Sequence, residues 1–402
     1  MEIKTLPNGL TVIFEKKNSN SVAIEVNVKT GSCNEPRKLA GVSHFLEHLL
    51  FTGTNKRKDA MAISREIDRI GGEFNAATSH ERTFYYTVVP KKHFNIGVEV
   101  LADMMQNTLF NDSFEKERDV ILKEISFTND NPRSYQWLLF YKALFEKHPA
   151  KFPIYGSIET IKNMKKELVI DYYKKYYIPN NMSIAIVGDV NDPFDKIKKE
   201  FTFEPGKLPK QEKIDEPLQK KPKLVTEIRK TEDSYMVFGY KVPSRSNPHS
   251  YSLDIIKAIL GGGMSSRLFE EIRIKRGLSY GVSAQHDSNV GFGTFAITLN
   301  AHKDKKDIIK DIIIKEIKNL KNLDEKSLEE AKNYIEGNYL LENESNSNRA
   351  STLNGWQMVK DAREAEDYIS KIKKVKREDI AEAADLYLNE NYTFAVLQQE
   401  SI

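Results

Sequence analysis

The sequence predicts an α+β fold of two similar α/β units, each a mainly antiparallel sheet with helices packed on one face. Three observations support this prediction. Strand-like and helix-like segments are intermixed without a regular βαβ alternation. Their order recurs after about 210 residues. A segment rich in proline, lysine and glutamate separates the two occurrences. With 402 residues, 40% of them hydrophobic, the chain is long enough to form two cores.

The first half opens with two predicted strands, Leu10–Phe14 after the turn Pro7–Gly9 and the alternating segment Val22–Lys29. A helix with two histidines comes next, and another helix ends at Gly71 and Gly72. Two paired strands, 73–78 and 83–89, are expected after these glycines. The other predicted elements of this half are helices over 93–106, 114–126 and 169–177 and a buried strand over 182–187.

Residues 204–224 are predicted to be an exposed linker between a first domain, 1–203, and a second domain, 225–402. In the second domain Tyr235–Val242 resembles the strand at Val22, and Tyr251–Leu260 corresponds to the histidine-bearing helix but contains no histidine. Leu278–Val282 corresponds to the strand after Gly72, and 392–397 to the strand at 182–187. The first half, which has the two histidines, is therefore expected to hold any metal ion. The second half is expected to be free of metal and to contribute residues that bind the substrate.

Composition excludes several classes of function. The net charge of +3 arises from 61 basic and 58 acidic residues that are mixed along the chain, so no nucleic-acid partner is expected. A single cysteine, Cys33, excludes an internal disulfide and leaves histidines and carboxylates as metal ligands. No export segment or membrane span is evident, and a soluble, cytoplasmic protein without a membrane partner is expected.

The most informative motif is His44-Phe-Leu-Glu47-His48. On a helix, residues four apart share a face, so both imidazoles can reach one ion while Glu47 lies beside them. Two histidines and a carboxylate of this kind are typical of a zinc hydrolase, in which the carboxylate is the general base. The order is inverted relative to the His-Glu-x-x-His motif. The alternative is an ordinary polar helix face.

A third ligand should lie on another rigid element. The predicted helix over 114–125 offers Glu117 and Glu124, which are seven residues, or two helical turns, apart and so face the same way. From the residues alone, this pair could equally be part of an ordinary charged helix face.

These residues resemble the inverzincin zinc metallopeptidases, which include pitrilysin, insulin-degrading enzyme and mitochondrial processing peptidase, and in particular a small prokaryotic processing-peptidase-like subfamily. The resemblance covers nearly the whole chain and rests on residues 44–48, 117–124 and 71–78. It implies that His44, His48 and Glu124 bind one Zn²⁺ per chain and that Glu117 supports the site. It also implies that an edge strand pairs with extended substrate, with Asn75 adding a polar contact. This strand segment is Phe74, Asn75, Ala76 and Ala77.

In the second half, Arg273 and Tyr280 look like the family's arginine and tyrosine that stabilise the oxyanion formed from the substrate carbonyl. Arg276 is a competitor for the arginine role. The run Gly261–Gly263 lacks the lysine and serine or threonine of a phosphate-binding loop and is predicted to be a helix-ending turn.

The resemblance implies a zinc-dependent endopeptidase that hydrolyses short or unfolded peptides in an enclosed chamber. The two units would form half of a clamshell, and two chains would pair, most plausibly as a homodimer. The alternatives are a noncatalytic subunit and an active subunit that needs a different second chain. The same ligands also accept manganese or cobalt.

Overall fold

The computed structural model of the chain describes residues 1–110, 113–210 and 214–400. These residues form two sheets, each surrounded by helices. In chain order the strands are β1 (Glu2–Thr5), β2 (Thr11–Lys16), β3 (Ser21–Val28), β4 (Glu73–Thr78), β5 (Thr83–Pro90), β6 (Met182–Gly188), β7 (Lys223–Arg229), β8 (Ser234–Val242), β9 (Val282–Ser288), β10 (Gly293–Ala301) and β11 (Thr393–Gln399).

In chain order the helices are α1 (Val42–Leu50), α2 (Ala60–Asp68), α3 (Phe94–Asn107), α4 (Ser113–Asp130), α5 (Pro132–Leu144), α6 (Ile158–Lys162), α7 (Lys166–Tyr176), α8 (Phe194–Glu200), α9 (His249–Gly261), α10 (Lys306–Lys318), α11 (Glu325–Glu342), α12 (Asn346–Val359), α13 (Glu364–Lys374) and α14 (Arg377–Tyr387).

Apart from β1, which is an additional strand at one end of the first sheet, the two sheets share one topology. The strand order is β1-β2-β6-β3-β5-β4 in the first sheet and β7-β11-β8-β10-β9 in the second. In each sheet one pair is parallel, β2 with β6 and β7 with β11, and the other pairs are antiparallel. Strand β5 begins at residue 83 and its counterpart β10 at residue 293, 210 residues later. The predicted α+β class and the internal repeat are confirmed.

The chain divides into two units, each assembled from three segments. Unit 1 comprises residues 1–126, 152–212 and 341–365, and unit 2 comprises residues 127–151, 213–340 and 366–402. The contiguous domains 1–203 and 225–402 stay a prediction. They differ from these units in two segments, because 127–151 belongs to unit 2 and 341–365 belongs to unit 1. Of the predicted linker 204–224, residues 211–213 lie outside the described residues, and the last two residues belong to β7.

In unit 1 the alternation along β3 separates two cores. Val22 and Ile24 face the main core, which also receives apolar side chains of α1, α3 and α7. Ala23 faces the opposite side, where it packs with Ala350 and Leu353 of α12. Burying a large aliphatic side chain stabilises the fold by about 1.5–3 kcal/mol. Helices thus pack on one face as predicted, and one helix from the other half of the sequence covers the second face.

Unit 2 contains the reciprocal exchange. Helix α5, from the first half of the sequence, lies against β8 and β11. Its approach depends on Gly239 in β8, because a Cβ there would lie 2.8 Å from the Phe140 ring. The segments 132–144 and 346–359, which form these two exchanged helices, were not predicted as helices.

One predicted boundary is wrong. The strand expected over Leu278–Val282 begins only at Val282, the first residue of β9. Gly277 adopts a positive φ of 58°, and the Ser279 hydroxyl donates to the carbonyl oxygen of Asn300 at 2.7 Å. This side-chain hydrogen bond takes the place of ladder pairing before Val282.

Candidate metal centre and active site

Helix α1 carries the histidine motif, and its first turn is fixed by sterics and burial. Gly41 precedes the helix with a φ of 94°, and a Cβ there would lie 2.5 Å from the carbonyl oxygen of Tyr155, so only glycine fits. Phe45, on the core-facing side, is fully buried. His44 and His48 lie one turn apart with ring centroids separated by 4.7 Å.

Helix α4 brings Glu124 to both histidines. Its Oε1 lies 3.6 Å from His44 Nε2, and its Oε2 lies 3.5 Å from His48 Nε2. Neighbouring ligand atoms of a tetrahedral zinc site are about 3.4 Å apart when the bonds are about 2.0–2.2 Å long. The donor set and its spacing therefore fit zinc. Among the residues that the structure describes, no other group of three His, Cys, Asp or Glu side chains brings its ligand atoms within 4.8 Å of one another.

Packing and hydrogen bonds hold α4 in this position. Phe114 stacks on Phe45 of α1 with ring centroids 4.7 Å apart, and Ile121 is fully buried between the two glutamates. On the outer side, the Arg118 guanidinium donates to the carbonyl oxygen of Met164 at 2.9 Å. Both helices that carry the ligand-type residues are thus joined by a shared apolar core.

Glu117 contacts the His48 ring on the side opposite Glu124. Its Oε2 is 3.3 Å from His48 Nδ1, the ring nitrogen that faces away from Glu124. A carboxylate at this position accepts the Nδ1 proton and leaves Nε2 with a free lone pair, which is the form that binds a metal. The Nδ1 atom of His44 is buried and has no corresponding partner among the described residues.

Hydrogen bonding shifts the pKa of two of these groups. Burial acts to lower the pKa of His48, but its hydrogen bonds with Glu117 and Glu124 outweigh burial and raise this pKa to about 9. Hydrogen bonds from His44 and His48 hold the pKa of Glu124 well below its usual range. Before a metal binds, His48 therefore carries a proton at pH 7.

We expect zinc binding at pH 7 to release about one proton, because His48 must become neutral to bind the ion. Calorimetric titrations in buffers of different ionisation enthalpy measure this release. It should fall towards zero at pH 10, above the raised pKa of His48. A binding enthalpy that is independent of the buffer at pH 7 would contradict this prediction.

Glu47 lies on the same helix, between the two histidines in sequence. Its Oε2 accepts a hydrogen bond from the Thr78 hydroxyl at 2.5 Å, and Thr78 is the last residue of β4. Thr78 was not predicted as a site residue. It does close the 71–78 block that carried the resemblance, but its contact with Glu47 spans 31 residues and no local pattern reveals it.

A second residue that the sequence did not indicate is Glu35. Its two carboxylate oxygens accept hydrogen bonds from the backbone N–H groups of Gly41 and Ser43, each at 2.7 Å. Burial raises the pKa of Glu35 to about 8, although both backbone hydrogen bonds lower it. Glu35 thereby satisfies two N–H groups at the start of α1, next to His44, that the helix itself cannot pair.

Strand β4 lies at the end of its sheet and, among the strands that the structure describes, pairs only with β5. The predicted substrate-binding residues Phe74, Asn75, Ala76 and Ala77 all belong to β4, whose other edge is unpaired within the sheet. Phe74 packs inward on Phe51 with ring centroids 5.4 Å apart, and the Asn75 side chain is engaged by the N–H of Ala76 at 2.9 Å. This edge therefore offers its backbone groups together with the exposed side chains of Glu73 and Asn75.

Arg273 and Tyr280 lie together in unit 2. Arg273 belongs to a π-helix, Phe269–Ile274, and its guanidinium lies 4.4 Å from the centre of the Tyr280 ring, which is 82% exposed. No ion pair of Arg273 occurs within the described residues. Arg276, the competitor, is paired with Glu271 at 2.5 Å. The geometry therefore favours Arg273 as the arginine available for a ligand.

Helix α9, the counterpart of α1 in unit 2, carries a different polar cluster. Asp254 accepts hydrogen bonds from Arg245 at 2.6 Å and Tyr368 at 3.0 Å, and it pairs with His286 Nδ1 at 2.7 Å. Burial opposes ionisation of Asp254, but Arg245 and His286 hold its pKa well below the usual range. Because His286 belongs to β9, this cluster joins α9 to the edge strand.

No helix in the described part of the chain is both long enough and apolar enough to span a membrane.

The chain is similar to known peptidases along nearly its whole length. Residues 11–157 match the family described as insulinase (peptidase family M16), and residues 163–335 match the M16 inactive domain. An uncharacterized zinc protease of Bacillus subtilis is 32% identical over 401 residues, covering 98% of this chain and 97% of that protein. An uncharacterized zinc protease of Rickettsia bellii is 31% identical with the same coverage.

Solved structures share the fold. A protease from Helicobacter pylori superposes with a TM-score of 0.93 at 24% identity and covers 99% of both chains. An M16-like peptidase from Alicyclobacillus acidocaldarius gives a TM-score of 0.85 at 20% identity and covers 99% of this chain and 98% of the other. Both similarities confirm the predicted architecture of two homologous α+β units.

Proposed function

Because the chain belongs to the M16 family of peptidases, which confirms the inverzincin resemblance, we propose that it is a zinc-dependent endopeptidase acting on short or unfolded peptides. The observation that carries this proposal is the convergence of His44, His48 and Glu124 next to Glu47. Noncatalytic relatives need none of these four side chains, whereas a hydrolase needs all of them.

In this proposal His44 Nε2, His48 Nε2 and the Glu124 carboxylate hold one zinc ion per chain. Bound zinc would supply Lewis-acid polarisation of the scissile carbonyl and of the attacking water. Glu47 accepts a proton from that water as the new C–O bond forms, and it donates the proton to the leaving amine as the C–N bond breaks. Glu117 keeps His48 in the tautomer that presents Nε2 to the metal.

The edge of β4 would bind the substrate as an added strand through backbone hydrogen bonds. This mode tolerates many side chains, because it uses the backbone groups of the substrate. The exposed Asn75 side chain would add a polar contact to the peptide. Arg273 and Tyr280 would stabilise the negative charge that develops on the carbonyl oxygen. Within the described residues Arg273 has no ion-pair partner, and Tyr280 is exposed; both observations support these roles. A homodimer and an enclosed chamber, which the family resemblance implies, complete the proposal.

We expect Arg273→Ala to lower kcat about 100-fold, since removing one oxyanion-stabilising group typically costs about 10²–10³ in rate. The matched control is Arg276→Ala, three residues away, whose guanidinium is already paired with Glu271. Steady-state kinetics on a fluorogenic peptide compare the two variants. A larger loss for Arg276→Ala would reverse the assignment of the arginine.

The function itself is tested by metal analysis together with cleavage of a quenched fluorescent peptide library, with mass spectrometry of the products. One zinc per chain, cleavage by the chain alone, and loss of cleavage with a chelator are the expected results. Stoichiometric zinc without cleavage until a second polypeptide is added would instead establish a partner-dependent subunit. Neither zinc nor cleavage would refute the proposal.

A further inference from the structure

Thr78 occupies a rigid position next to the general base of the proposed reaction. Its backbone pairs with Thr83 at the end of the β4–β5 hairpin, and Ser79 closes this hairpin with a hydrogen bond to the carbonyl of Arg82 at 2.7 Å. The carbonyl of Ser79 also accepts the N–H of Ser32 at 3.1 Å. The position of the Thr78 hydroxyl is therefore set by backbone contacts on both sides of the residue.

Glu47, in contrast, has a flexible side chain with three rotatable bonds. Within the described residues, the Glu47 carboxylate accepts one side-chain hydrogen bond, from the Thr78 hydroxyl. No lysine or arginine in this part of the chain forms an ion pair with Glu47. A hydroxyl donating to an ionised carboxylate is among the stronger hydrogen bonds in proteins. This contact selects one rotamer of Glu47 and offsets the entropy lost by ordering the side chain.

The same contact makes the two carboxylate oxygens of Glu47 unequal. Because Oε2 accepts the hydrogen bond from the Thr78 hydroxyl at 2.5 Å, Oε1 is the oxygen that keeps both of its lone pairs for an attacking water. The proton taken from that water would accordingly be held on Oε1 until it passes to the leaving amine. A carboxylate without this tether would present either oxygen, in several rotamers, to the same water.

Thr78 also directly follows Phe74–Ala77 on β4, the edge to which an extended peptide would add. One strand therefore carries both the backbone groups proposed to align the peptide and the hydroxyl that aligns the base. Misplacement of a reacting group by about 1 Å can cost about 100-fold in rate.

We infer that Thr78 is a positioning residue, whose hydroxyl holds Glu47 so that Oε1 faces the attacking water while the same strand aligns the peptide. This role rests on the proposed peptidase function. Through this contact, general-base geometry and substrate alignment are set by one strand, and the role belongs to the hydroxyl group rather than to the bulk of the side chain.

The test compares Thr78→Val, which keeps the shape and removes the hydroxyl, with Thr78→Ser, which keeps the hydroxyl. We expect Thr78→Val to lower kcat about 10- to 100-fold with little change in KM, and Thr78→Ser to restore most of it. Zinc content should stay at one per chain in both variants. Thr11→Val, in β2 of the same sheet, controls for the general effect of this replacement on the strands.

A second measurement reads the contact without activity. Melting temperatures of the wild type, Thr78→Val, Glu47→Ala and the double variant form a double-mutant cycle, in which we expect the two losses to be non-additive by about 2 °C. Additive losses, an unchanged kcat in Thr78→Val, or equal impairment of Thr78→Ser would each overturn the inference. A wild-type protein that neither binds zinc nor cleaves peptides would instead refute the proposed function. The two failures are distinguishable, because the role of Thr78 is refuted only by variants compared with an active wild type.

Discussion

Glu47→Gln is expected to abolish peptide cleavage while zinc content stays at one per chain. Gln has nearly the same shape and still offers an oxygen to the Thr78 hydroxyl, so the local structure should persist. The amide cannot accept a proton at neutral pH, and general-base catalysis contributes about 10²–10⁴-fold to rate. We therefore expect kcat to fall by about 10³-fold or more, with KM nearly unchanged.

Metal analysis and steady-state kinetics on the same preparation check this prediction. Glu167→Gln, an exposed glutamate on α7, is the matched control and should retain wild-type activity. Substantial activity in Glu47→Gln with full zinc occupancy would show that another group accepts the proton.

Glu124→Ala is expected to lower zinc affinity by about 10³-fold, since a ligand is removed and two histidines remain. Glu117→Ala removes a group that contacts the far nitrogen of His48, Nδ1, and loss of such an outer partner typically lowers metal affinity about 10- to 100-fold. A larger loss of zinc affinity in Glu124→Ala than in Glu117→Ala would therefore identify Glu124 as the zinc ligand and Glu117 as the residue that orients His48. It also decides between two glutamates that face the same side of α4.

Competition with a zinc-binding dye measures both affinities. Glu115→Ala on the same helix is the control, because its carboxylate pairs with Arg118 at the surface rather than with a histidine. If Glu117→Ala lost more affinity than Glu124→Ala, the two roles would have to be exchanged.

Sequence patterns revealed the parts of the site that follow local periodicity. The four-residue spacing of His44 and His48 and the seven-residue spacing of Glu117 and Glu124 are properties of single helices, and the structure has both pairs on helical faces. The convergence of the two helices was expected only from the family resemblance. The β4–β5 hairpin was predicted because Gly71 and Gly72 end a helix before two alternating segments.

What the sequence did not reveal depends on tertiary contacts. Thr78 reaches Glu47 across 31 residues, and Glu35 lies too far before α1 to be recognised as a helix cap. Helices α5 and α12 were missed because their apolar partners are strands from the opposite half of the sequence. Patterns within a short window contain no information about such partners.

The reciprocal exchange of these two helices makes the halves of the chain mutually dependent for folding. A fragment ending at residue 203 would lack α12 and expose Ala23 and its neighbours, while the remaining fragment would lack α5. Neither should fold alone, yet a chain cut within 204–222 should stay associated, because each fragment completes the other's core. Size-exclusion chromatography of the nicked protein should therefore show one intact species, which separates only on denaturation.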